Sequence, residues 1–109
     1  MIRLVSRALV VLLAAVVGCS GARRVDGLDP SSLPPDLRAD YEVFAHRCSK
    51  CHTLARPLDS GITNDQFWRI YVTRMQRMPG SGISDSDVAR ILRFLRHYSA
   101  EQRAKKAAS

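Results

Sequence analysis

Cys48-Ser49-Lys50-Cys51-His52 is the stretch of this chain whose residue types and spacing commit most clearly to a chemistry. Two thiols one helical turn apart can reach two vinyl groups on one edge of a porphyrin, and the adjoining imidazole is then brought beneath the iron. C-x-x-C-H is accordingly the attachment signature of haem c. Other uses of the pair fit less well. Zinc needs two more ligands, and His46 and His97 offer no second paired spacing. A thioredoxin-like dithiol belongs in a βαβ context that the sequence does not supply. A disulfide between Cys48 and Cys51 leaves His52 without a task.

Iron held in this way has one axial position left, and beyond the first residue the chain offers two methionines, Met75 and Met78. Met78-Pro79 stands just past a helix end, from where a thioether can turn toward a metal. Met75 lies seven residues after Trp68, on the same helical face. Whichever does not bind is a flexible filler of the core. A second imidazole from His97 would require its helix to turn a polar edge toward the iron, and His46 points off the apolar stripe of its own helix.

Three helices can position these groups. Asp36 to Lys50 follows Pro34-Pro35, residues suited to a first turn, and strings Leu37, Tyr41, Phe44 and Cys48 along one face that ends at the cysteine pair. Thr63-Asn64-Asp65-Gln66 has capping-box form and opens a second helix. On it, Phe67, Ile70, Tyr71 and Arg74 recur at helical spacing beside Trp68, Val72 and Met75, until Pro79-Gly80 stops it. Ser84-Asp85-Ser86-Asp87 supplies a cap and two acidic residues for a third. There Val88, Ile91, Leu92, Leu95 and Tyr98 form the inner face, with Arg90, Arg93 and Arg96 outside. No segment alternates long enough for a sheet, so the expected fold is all-α, a small domain over residues 36–100. A domain of about 60 residues buries only ~60% of its unfolded surface, so a bound apolar group is expected to complete the core.

The flanks read differently. Arg3 and Arg7 precede the apolar run Ala8 to Val17, too short for a span of about 20 residues and arranged like an export signal over residues 1–18. Val16-Val17-Gly18-Cys19 resembles a lipobox, which implies a lipid on Cys19 as the new N-terminus, and Ser20 after it leans toward the outer membrane. Residues 19–35, rich in Gly, Ser, Pro, Asp and Arg, are expected to be a flexible tether, and 101–109 a polar tail. Loss of the signal lowers the formal charge from +7 to +5, as 15 basic against 10 acidic side chains remain. Without aromatics interleaved in a basic stripe this implies a solvated face that steers acidic redox partners, and no nucleic-acid surface.

Taken together, Cys48 to His52, Phe44 four residues ahead of them and Ala89-Arg90-Ile91-Leu92-Arg93-Phe94-Leu95 resemble the class I cytochrome c family. Trp68 to Met75, followed by Gly80-Ser81-Gly82-Ile83-Ser84, is similar to short cytochromes with a W-x3-V-x2-M pattern, in which the methionine is the implied ligand; the resemblance therefore prefers Met75. It covers residues 36–98. It implies about three helices around one covalently bound haem, ligated by His52 and a methionine. One departure stands out: family members commonly place Gly eight residues before the first cysteine, where the terminal helix crosses, and here that residue is Asp40. Either Ala39 serves the crossing or the helices sit farther apart. Pro57 is a candidate for the carbonyl that orients the haem histidine, and Trp68, Phe67 and the Leu54 to Leu58 segment are expected to line the pocket.

The expected function is one-electron transfer on the periplasmic side of a bacterial membrane, through a lipid anchor and with protein redox partners. No acid, base or nucleophile constellation suggests a free-standing enzyme. The alternatives are a haem-based sensor or gas-binding module, which needs an open axial position, and an electron-entry subunit docked on a larger periplasmic oxidoreductase.

Overall fold

A computed structural model describes residues 26–109. The segment read as an export signal, and Cys19 with it, lies outside the described residues. Among those described, the chain is all-α and has no strands. A 3-10 turn at Pro30–Ser32 precedes α1 (Pro35–Cys48), α2 (Ala55–Leu58), α3 (Asp65–Arg77) and α4 (Asp85–Ala108). α4 packs against both α1 and α3.

α1 buries Leu37, Tyr41 and Phe44, one residue per turn along a single face. They meet Phe94 of α4, whose ring centroid lies 4.8 Å from that of Phe44 and 5.1 Å from that of Tyr41. Tilted and edge-on aromatic pairs of this kind contribute about 0.5–1.5 kcal/mol beyond the area they bury. The helices therefore pack closely with Asp40 and no glycine at the crossing, and Ala39, which is exposed, takes no part in the contact. Asp40 itself stands at the crossing with 3% of its surface exposed. Its two oxygens are bound by Arg93, at 2.6 Å from Nε and 3.1 Å from Nη2. Arg93, expected on the outer side of its helix, thus reaches back over the crossing. Its bidentate fork satisfies a carboxylate that burial alone would penalise.

α3 starts one residue later than its capping-box reading. Asn64, not Thr63, is the cap, and its side chain accepts from the N–H groups of Gln66 and Phe67. The sequence offered two apolar stripes on this helix, and only one can face α4. Trp68 and Val72 are buried, with Tyr71 and Met75 half-buried beside them. Phe67 and Ile70 point outward, 61% and 49% exposed. The indole has the larger apolar surface and finds a polar partner inside: Trp68 Nε1 donates to the fully buried Ser99 Oγ.

α4 begins with a full capping box. Ser84 Oγ accepts from Asp87 N–H at 3.1 Å, and an Asp87 carboxylate oxygen accepts from Ser84 N–H at 3.1 Å. The helix continues through residues expected to form a tail. Its Ala- and Lys-rich end has high helix propensity, and Arg103 donates to the carbonyl of Thr63.

The described part of the expected tether, residues 26–34, is fastened to the domain. Leu33 is buried, and the Tyr41 hydroxyl both accepts from Leu28 N–H at 2.7 Å and donates to Leu28 O at 3.0 Å. The Asp26 carboxylate accepts from Leu54 N–H. Gly27 is required at the tightest point. Its φ is +91°, and a Cβ there would run into the Tyr41 hydroxyl and a Leu54 methyl. Residues 26–34, expected from composition to belong to a flexible tether, are thus held to the domain by these partners.

Candidate functional site

The sulfur- and imidazole-bearing residues gather on one side of the bundle. α1 ends at Cys48, and the chain then turns through Ser49 and Lys50 to the exposed Cys51 and half-buried His52. α3 faces this turn with Tyr71, Arg74 and Met75, and Met78 follows directly as its C-cap residue. The loop to α4 closes the third side with Ser81 and the buried Ile83. Between them lies a groove of about 410 Å³ lined by Cys48, Cys51, His52, Met75 and Met78 together.

The loop is held in place by Gln76. Its amide donates to Ile83 O at 3.3 Å and to the Asp85 carboxylate at 2.8 Å, while Ser81 Oγ donates to Gln76 O at 2.8 Å. That loop is thereby fixed to the same helix that carries Met75 and leads into Met78.

Cys48 and Cys51 are not bridged to each other. Burial pushes the Cys48 thiol up to about 11, the reverse of the lowered pKa that characterises a reactive dithiol. The Tyr71 phenol is raised as well, by burial first and then by the Cys48 sulfur, with Arg56 opposing. His52 has its Nδ1 3.0 Å from the carbonyl of Thr53. A ring nitrogen meeting a carbonyl must carry the proton, which leaves the Nε2 lone pair free to bind a metal. The Pro57 carbonyl does not meet the His52 ring, whose Nδ1 is at the Thr53 carbonyl instead; it accepts from Ser60 N–H within the α2 turn.

Met75 is half-buried and packs against the core, whereas Met78 is 52% exposed. His97 is absent from the groove lining. It extends along its own helix toward Glu101, at 3.2 Å. Trp68 and Phe67, expected to line the pocket, do not: the first is wholly inside the bundle against Ser99, the second outside it. Of the Leu54 to Leu58 segment, Arg56 reaches the groove. Sequence reasoning missed Tyr71 and Ile83 as lining residues. Tyr71 carries a signal that could have found it, since it stands four residues before Met75 on the same helical face.

The electrostatics are one-sided. Arg47, Lys50, Arg56 and Arg74 line the groove, and among the described residues no acidic side chain does. Arg47 is tied by its Nε to Asp87 at 2.9 Å, joining the end of α1 to the start of α4. Lys50 directs its ammonium to Ser81 O at 3.5 Å. Among the described residues no group of three or more His, Cys, Asp and Glu side chains converges to hold a metal ion. A metal seated here has to bring most of its ligands with it.

A protein of Chlorobaculum tepidum named cytochrome c is 39% identical to this chain over 69 aligned positions, covering 56% of this chain and 34% of the relative. The chain thus spans about a third of the length of that relative. No family model matches the sequence, and no solved structure matches it.

Proposed function

We propose that this chain is an exported electron carrier that holds one haem c in the groove between α1, α3 and the loop before α4. The observation that carries the reading is the meeting of both thiols, the His52 imidazole and two thioethers on one groove among the described residues. The donor set suits the cofactor: thiols for covalent attachment, a neutral nitrogen and a thioether for the axial positions. The likeness to a protein named cytochrome c adds support over the residues it covers. Haem bound here supplies an iron that takes up and releases a single electron.

Each residue then has a defined task. Cys48 and Cys51 anchor the macrocycle, and His52 presents Nε2 while Thr53 holds the ring by its other nitrogen. Met75 is the preferred distal ligand, because α3 already packs it inward; the exposed Met78 is the alternative. Tyr71 and Ile83 exclude water and so tune the potential. A site saturated by His and Met exchanges electrons and leaves no open position for substrate, which is the behaviour of a carrier and not of a free-standing enzyme. Export and lipidation at Cys19, placing the domain on the periplasmic side of a membrane, complete the reading.

The test is a pyridine haemochrome assay on the exported protein, with visible spectra in both redox states. One thioether-linked haem per chain is expected, with the weak long-wavelength ferric band of thioether ligation. That band is expected to vanish in Met75→Ala and to persist in Met78→Ala. The opposite pattern makes Met78 the ligand, and a chain without covalent haem overturns the proposal. A second reading, a subunit docked on a larger oxidoreductase, is favoured by the exposed Ile70 and Met78 in a shallow depression beside the groove. It predicts co-migration with a larger haem-containing assembly after mild detergent extraction, whereas a mobile carrier migrates alone.

A further inference from the structure

The peptide unit that joins Thr53 to Leu54 is hydrogen-bonded at both ends. Its carbonyl oxygen accepts from His52 Nδ1–H at 3.0 Å. Its N–H, on Leu54, donates to the Asp26 carboxylate and lies 3.0 Å from each oxygen. A carboxylate, a peptide group and an imidazole thus form one hydrogen-bonded chain, and the free Nε2 lone pair of His52 is at its far end. The local fold brings these pieces together from 28 positions apart in sequence. Leu54 is buried, which seats its peptide against the core. Gly27, next to Asp26, has φ +91°, and a Cβ there would strike a Leu54 methyl, so glycine is what lets the strap approach this closely.

Hydrogen bonds in such a chain polarise one another. Negative charge beside the Leu54 N–H drives the peptide's electrons toward the Thr53 oxygen, which becomes a stronger acceptor for the imidazole N–H. The ring gains electron density at Nε2, and an electron-rich ligand favours an oxidised metal over a reduced one. Resting on the haem reading above, we propose that Asp26 is a positioning residue for His52: through the Thr53–Leu54 peptide it fixes the rotation of the ring and lowers the reduction potential of the bound haem. The strap then tunes the site as well as bracing the domain.

The experiment measures the reduction potential of the haem-loaded full chain and, in its reduced form, the proton chemical shift of His52 Nδ1–H, for wild type, Asp26→Asn and Asp26→Ala. Asn keeps an acceptor oxygen without the charge, and Ala removes both. Both variants are expected to raise the potential and move the Nδ1 proton upfield, Ala by more than Asn, with Asp26→Glu restoring the wild-type values in part. Two controls separate the alternatives. Asp29→Asn removes the same charge from the strap at a carboxylate bonded to Ser31 N–H and not to Leu54. Tyr41→Phe loosens the strap at Leu28 and leaves the Asp26 carboxylate in place. Neither control is expected to move the Nδ1 proton or the potential as the Asp26 variants do. Unchanged potential and Nδ1 shift in both Asp26→Asn and Asp26→Ala, with haem attached, overturn the relay and leave the carrier reading intact. Equal shifts in Asp29→Asn reduce the effect to net charge, and equal shifts in Tyr41→Phe reduce it to strap packing; either result also overturns the relay. A wild-type chain that carries no covalent haem brings down the carrier reading and the relay together.

Discussion

Cys48 and Cys51 differ in environment although they are three positions apart. Cys51 is exposed, while Cys48 is half-buried at the end of α1 with its thiol pushed up to about 11. In haem-free chain at about neutral pH, iodoacetamide is therefore expected to alkylate Cys51 well before Cys48. Mass spectrometry of time points reads the order, and equal rates would show that burial does not protect Cys48. Raising the pH toward about 11 narrows the gap, because the Cys48 thiolate then becomes populated. In the haem-loaded protein neither thiol should react. At this scale the convergence of Cys48, Cys51 and His52 on one groove was legible in sequence because their covalent spacing keeps them together. Tyr71 and the four cations were not, since which turn of α3 faces the cysteines depends on how Trp68 packs against α4.

Among elements, the crossing of α1 and α4 shows how a buried carboxylate is accommodated between two helices. A glycine at the Asp40 position would permit close approach by having no side chain; here a buried carboxylate is met by a guanidinium from the other helix. The two halves of the pair are not equivalent. Arg93→Ala strands a buried carboxylate and is expected to cost about 1–3 kcal/mol. Asp40→Ala releases an arginine whose side chain is 61% exposed and free to rehydrate, and is expected to cost less. Urea unfolding of the two variants gives the ranking, and a larger loss in Asp40→Ala would contradict this account.

The start of α4 supplies a pH-dependent contribution. The Asp87 carboxyl is held below the ordinary carboxylate range by the Ser84 backbone N–H above all, with the Ser84 hydroxyl and Arg47 also contributing. A lowered folded-state pKa stabilises above the unfolded value of about 3.9, and the contribution is lost as pH falls through the folded value. Thermal melts should show Asp87→Asn less sensitive than wild type to acidification below about pH 4. Parallel acid profiles would assign that sensitivity elsewhere. The start of α4 was legible because Ser84 caps it as read, whereas the start of α3 was displaced by one residue because Thr63 and Asn64 both offer a cap and Asn64 takes it. The alternative stripes of α3 were not legible: Phe67 and Ile70 satisfy helical periodicity as well as Trp68 and Val72 do, and only the partner helix chooses between them.

For the molecule as a whole, the groove is built from pieces that sequence separates: the end of α1, the loop after it, α3 and the loop into α4. The strap of residues 26–34 braces this assembly from outside, through Tyr41 and Leu54. Tyr41→Phe removes both hydrogen bonds to Leu28 and is expected to cost about 1–2 kcal/mol, with faster amide exchange at Leu28. Unchanged exchange there would show that Leu33 and the Asp26 carboxylate hold the strap without the Tyr41 hydroxyl.

Pinning the strap at Asp26 also changes what an anchored carrier can reach. A free tether from Cys19 to Pro35 spans at most about 55 Å when fully extended, whereas the chain between Cys19 and Asp26 spans at most about 25 Å. With the lipid proposed on Cys19, the domain is therefore held near the membrane surface within a radius comparable to its own size. On that proposal it would exchange electrons by sliding laterally among neighbours in the same membrane, and partners that traverse the full width of the periplasm would have to come to it.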